Sequence, residues 1–163
     1  EAERSRADHI AQITGATVLP KLSLSGLATQ LASVSGVIAV DTGLGHLAAA
    51  LARPTLSLYG PTDPGLSGTY GVSQKHLCST FACAPCLQKT CAYKGPVVLE
   101  DGKAVAPPCF STHPPASVWQ TFEALLAKAA LGRSKSFYDT NGYNTGSYDT
   151  NGYGTNDNGS IGK

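Results

Sequence analysis

The stretch from Val37 to Leu51 constrains this chain more than any other. Val37-Ile38-Ala39-Val40, mostly β-branched, runs directly into Asp41-Thr42-Gly43. Leu44, Leu47, Ala48 and Leu51 follow at the spacing of a helix that faces a sheet. The pattern predicts a buried strand, a tight glycine turn and a helix start. The same alternation recurs on either side. Ala7, Ile10, Ala11 and Thr14 form one helical stripe, ended by Gly15. Ala16-Thr17-Val18-Leu19, stopped by Pro20, reads as a short buried strand. Leu24, Leu27, Leu31 and Val34 mark a second amphipathic helix, and Pro54 to Tyr59 a further strand closed by Gly60-Pro61. Helices and strands joined by a few residues predict βαβ units, hence an α/β fold with a Rossmann-like parallel sheet and helices on both faces. Crossovers are then right-handed. Ligands of such sheets sit at the carboxyl ends of the strands, which puts Asp41 and Gly60 on the functional edge.

A texture rich in Cys and Pro occupies 78–113. Order resumes at Ser117, which with Gln120 spells a capping box, and Val118, Phe122, Leu125, Leu126 and Ala129 make a closing helical stripe. The domain is expected to span 1–131. Beyond it, 132–163 contains two imperfect ten-residue copies led by Tyr138-Asp139-Thr140-Asn141-Gly142 and Tyr148-Asp149-Thr150-Asn151-Gly152. So few apolar residues cannot offset chain entropy, which favours a disordered tail; a self-associating Tyr/Asn segment is the alternative.

Charge and composition remove several classes. The formal net charge is +1 with no basic block, which argues against a nucleic-acid partner. No apolar run reaches the roughly 18 residues needed to cross a bilayer. The turn reads Asp-Thr-Gly-Leu-Gly-His, not Gly-x-Gly-x-x-Gly, so a NAD-type dehydrogenase is disfavoured. The opening Glu1-Ala2-Glu3-Arg4 reads as mid-helix, the expectation for a fragment or processed product.

Two sets of residues carry candidate chemistry. Backbone amides at a helix start lack internal partners and lie at the positive end of the helix dipole, so the turn at Thr42-Gly43-Leu44 can hold a phosphate. Asp41 would offer sugar hydroxyls an acceptor; alternatively, Asp41 or Thr42 simply caps the helix. His46, in the first turn, is either a packed, hydrogen-bonded side chain or a charge-stabilising contact. The second set is Cys83-x2-Cys86-x4-Cys91 with Cys109, a spacing compatible with a structural four-thiolate zinc site; His113 could replace one ligand. The alternative is thiols that stabilise a loop by packing, and Cys78 stands outside the set.

The turn has wider context. Asp41-Thr42-Gly43-Leu44-Gly45-His46-Leu47-Ala48-Ala49-Ala50-Leu51, then Arg53-Pro54-Thr55, then Leu58-Tyr59-Gly60-Pro61-Thr62-Asp63-Pro64, closely resembles the C-terminal signature of the lipopolysaccharide heptosyltransferases, glycosyltransferase family 9. The resemblance runs back through Leu19-Pro20-Lys21-Leu22-Ser23-Leu24, forward through Cys83-Ala84-Pro85-Cys86 to Cys91, and covers residues 1 to about 130. It implies the C-terminal, ADP-heptose-binding half of a two-domain GT-B enzyme that performs inverting transfer in inner-core synthesis and needs no cofactor. By the same resemblance Asp41 holds heptose hydroxyls, Thr42, Gly43 and Leu44 lie along the diphosphate, and His46 sits just inside that helix. Glu3 grips the ribose and Leu22 covers the adenine. The catalytic base, a phosphate-binding lysine, the first strand of this domain and the N-terminal half that holds the lipopolysaccharide core acceptor all precede Glu1, so little or no catalysis is expected of this chain alone. The location implied is cytoplasmic, peripheral at the inner membrane. The rival is a non-catalytic, self-assembling protein built on a truncated transferase domain.

Overall fold

The computed structural model describes residues 2–100 and 102–139. The second repeat and the rest of the expected tail, 140–163, lie outside the described residues. The chain divides into a compact unit ending at Ala129 and a second beginning at Ala130.

Helix α1 (Ala2–Thr14) is followed by an irregular segment, then α2 (Leu24–Ser33), whose first turn is capped by the Ser23 hydroxyl accepting from the Gly26 amide. Strand β1 (Val37–Val40), helix α3 (Gly43–Ala50) and strand β2 (Thr55–Tyr59) form the βαβ unit that the sequence predicts. A short helix, α4 (Pro64–Ser67), leads into β3 (Gln74–Cys78). The three strands make one sheet in the order β1-β2-β3, both pairings parallel, with Ile38 beside Leu56 and Leu58 beside Leu77. A two-stranded antiparallel hairpin, β4 (Leu99–Glu100) with β5 (Lys103–Ala104), lies in the cysteine-rich region. A 3-10 turn at Pro108–Thr112 precedes α5 (Pro115–Asp139).

Side chains alternate across a strand, so register assigns the two faces. Leu56, with Leu58 and Leu77 packed beside it, meets Val118, Phe122, Leu125 and Leu126 of α5. On the other face α3 covers β1, with Gly45 against Ala39. A Cβ on Gly45 would sit 3.3 Å from that of Ala39, so this glycine lets helix and strand approach closely. Helices therefore cover both faces. Leu56 and Ala48 are fully buried, whereas Ile38 and Val40 on the outer strand stay partly exposed.

Three local expectations need correction. Residues 16–19 form no strand: the run has no sheet partner, and Leu19 is exposed. The last helix starts at Pro115, whose ring pre-sets the first helical dihedral, so Ser117 lies inside the helix, where its carbonyl accepts from Thr121, and caps nothing. That helix runs to Asp139, while the first compact unit ends at Ala129. On α3 the residues turned inward are Gly45 and Ala48, while Leu44 is exposed. Among the described residues no helix is long and apolar enough to cross a membrane.

Candidate functional site

The carboxyl end of β1 delivers Asp41 to the sheet edge, and the chain turns at once into α3. Thr42 occupies the cap position in an extended conformation; its carbonyl accepts from the amides of Gly45 (3.0 Å) and His46 (3.4 Å). Its hydroxyl makes no capping bond, so the cap alternative fails for the Thr42 side chain. Thr42, Gly43 and Leu44 are exposed, and a Cβ on Gly43 would meet nothing within 4 Å. The first turn of α3 thus opens to solvent, with room for a ligand against its backbone.

Asp41 is held from a different element. Ser67 Oγ at the end of α4 donates to Asp41 Oδ2 at 2.8 Å, and Asp41 Oδ1 lies 3.9 Å from His46 Nε2. That second separation is too long for a hydrogen bond, so His46, about half exposed, is an electrostatic neighbour and not a bonded partner. Asp41 is 19% exposed. Beneath it, buried Tyr59 ends β2; burial raises the Tyr59 hydroxyl above its ordinary pKa, and the Asp41 charge raises it further.

The other expected ligand contacts come from the two preceding segments. Glu3 is exposed in the first turn of α1, and half-buried Leu22 lies before the α2 cap, near Gly26. The geometry groups Asp41 with His46 and Ser67; Glu3 and Leu22 lie on separate segments.

The second candidate set follows the ends of β2 and β3. Cys83, Cys86, Cys91 and Cys109 line one cavity of about 80 Å³ with Pro61, Lys89 and Pro108. Among the described residues no three His, Cys, Asp or Glu side chains are grouped closely enough to hold a metal ion. Cys109 is buried, Cys86 half-buried, and Cys83 and Cys91 exposed; all are free thiols. Burial pushes the Cys109 thiol above its ordinary range, and the three neighbouring thiols push the same way. His113 turns from the cavity to the Tyr59 carbonyl, 3.2 Å from Nε2.

Sequence reading missed Ser67. Nothing in its spacing ties it to Asp41, 26 positions earlier; only the return of the chain through α4 brings the two together.

A parallel sheet with a carboxylate at one strand tip and an open helix start beside it is the arrangement in which α/β proteins bind ligands outside the strand ends. Known proteins narrow this. A family model described as glycosyltransferase family 9 (heptosyltransferase) matches residues 1–96. Lipopolysaccharide heptosyltransferase 1 of Pseudomonas aeruginosa is 54% identical over 129 residues, which are 77% of this chain and 36% of that protein. The protein of the same name from Salmonella typhimurium is 51% identical over 78 residues, 47% of this chain and 25% of its own length. Among solved structures, E. coli heptosyltransferase WaaC with ADP is 51% identical, with a TM-score of 0.45, covering 47% of this chain and 24% of that one. The chain belongs to glycosyltransferase family 9. It spans about a third of the length of the Pseudomonas relative and a quarter of the Salmonella one.

Proposed function

We propose that this chain is the donor-binding part of an inverting, ADP-heptose-dependent transferase of lipopolysaccharide inner-core synthesis. The observation that carries the reading is the pairing of a fixed carboxylate, Asp41, with the open first turn of α3. A carboxylate accepts hydrogen bonds only and suits the hydroxyls of a sugar; unpaired amides at a helix start suit a diphosphate. Placed side by side, they sort the two ends of a nucleotide sugar. As the bond from the anomeric carbon to the diphosphate breaks, negative charge grows on the leaving ADP, and amides already aimed at it stabilise that charge without reorganising. His46, when protonated, adds a cation at the same edge. The base that deprotonates the acceptor hydroxyl and the groups that bind a lipopolysaccharide core belong, on this reading, to an N-terminal half.

Calorimetric titration of the chain with ADP-heptose and with ADP tests the proposal. The wild type should prefer ADP-heptose, and Asp41→Ala should lower that affinity by about tenfold or more while leaving ADP unchanged, the scale of a lost hydrogen bond to a charged group. A folded wild-type protein that gives no heat with either ligand would refute the donor-site reading.

A further inference from the structure

The geometry points to Ser67 as a positioning residue that sets the Asp41 carboxylate for the donor sugar, an inference that rests on the donor-site reading above. A serine at a helix end ordinarily has a local choice, to bond the carbonyl four residues back. For Ser67 that carbonyl belongs to Asp63 and lies 3.5 Å away, whereas Asp41 Oδ2 lies at 2.8 Å. The shorter, charge-assisted bond dominates, so the hydroxyl is committed to Asp41.

The serine is itself anchored. Its amide donates to the Asp63 carbonyl at 3.1 Å, and its carbonyl accepts from the Tyr59 hydroxyl at 3.3 Å. Asp63 closes the start of α4 by accepting from the Gly65 amide at 2.8 Å. Tyr59 is buried at the end of β2 and meets the His76 ring of β3 edge-on, with centroids 5.3 Å apart; His76 Nε2 lies 2.9 Å from Thr69 Oγ1. Two strands of the sheet thus fix the backbone of Ser67, and Ser67 fixes one oxygen of Asp41. The other oxygen is left turned toward His46 and the open helix start, where a sugar hydroxyl would meet it. Without the hydroxyl at 67, the carboxylate can rotate about its side-chain bonds and loses its preset orientation.

The test is a set of titrations with ADP-heptose and ADP on wild type, S67A, S67T, D41A and the S67A/D41A double variant. S67A should weaken ADP-heptose by about three- to tenfold, the scale of one ordinary hydrogen bond. ADP affinity should be unchanged in S67A, which also shows that the variant is folded. S67T restores a hydroxyl on the same carbon and should restore discrimination, and S67A should cost nothing further once Asp41 is alanine. If the wild type discriminates and S67A discriminates equally, or if S67A still weakens sugar binding in the D41A background, the positioning role is overturned while the donor reading stands. A wild type that binds ADP-heptose no better than ADP overturns the donor reading and, with it, this inference.

Discussion

The Asp41 turn and the cysteine-lined cavity both follow the carboxyl ends of strands, yet they are held by different means. The turn is built by regular elements: β1 ends, α3 begins, and one hydrogen bond from α4 orients the carboxylate. The cavity is built by a loop and depends on side chains that bond to backbone. Ser79 Oγ donates to the Cys109 carbonyl at 2.8 Å and accepts from the Phe81 amide and the Thr112 hydroxyl, each at 3.1 Å. Thr112 Oγ1 also lies 3.1 Å from the Cys109 carbonyl, and the His113 ring meets the Tyr59 carbonyl. A ligand site on a strand tip inherits its rigidity from the sheet, whereas a loop site must hold itself together through a few polar contacts. The first should survive local damage to the second, and both should be lost with the shared sheet.

The largest effect should come from that shared support. Leu56 is fully buried against Val118 and Phe122, so Leu56→Ala should cost about 2–5 kcal/mol in urea denaturation. Both regions should unfold together, seen as coincident transitions for Trp119 fluorescence and cysteine reactivity. Separate transitions would break the idea of a common base. Gly60→Ala comes next. A Cβ there would lie 2.9 Å from Cys109 Sγ and 3.0 Å from the Phe110 ring, so overpacking should cost about 1–3 kcal/mol. ADP affinity should stay at the wild-type value; a fall would tie the cavity to the Asp41 turn. Ser79→Ala removes the centre of the loop network and should cost about 1–2 kcal/mol. Limited proteolysis should then cut between residues 79 and 113 faster than in the wild type, and an unchanged digestion rate would deny Ser79 that role.

Smallest are the effects of the thiols. Of the four cavity thiols, exposed Cys83 and Cys91 should react with a maleimide first, together with exposed Cys78 outside the cavity, Cys86 more slowly, and buried Cys109 last. Added zinc that protects all four in one step would show that the loop can close into a thiolate site; protection of none would leave the packing reading. Titration carries a definite sign. Cys109 and Tyr59 hold their protons to higher pH in the folded chain than in the unfolded one, because burial disfavours their charged forms. The stability they contribute is intact below the usual thiol value of 9.0 and should fall as pH climbs through and above it. A melting temperature that is flat or rising from pH 8 to 10.5 would contradict this.

Several parts of this chain were legible because their signals are local. Val37 to Leu51 specify strand, turn and helix through β-branched bulk, one glycine and a helical spacing, all within a few residues. Asp41 at the strand tip follows from that pattern alone. The β4–β5 hairpin also had a readable signal, the Asp101-Gly102 pair, which sequence reading passed over. Strand β3 had none: Gln74-Lys75-His76-Leu77-Cys78 is polar because it lies at the sheet edge, and its pairing with β2 depends on the chain returning through α4. The run at 16–19 misled in the opposite sense, since apolar residues make a strand only where a neighbour pairs with them.

What the sequence by itself determined is therefore the βαβ unit, the family signature and the place of Asp41 beside a helix start. Tertiary structure alone decided that Ser67 grips Asp41 and that Gly60 lies against Cys109. The physical reason is range. Backbone preference and hydrophobic period act over a turn or two, whereas a bond between residues 26 positions apart exists only after burial of Leu56 and Tyr59 has brought the strands together.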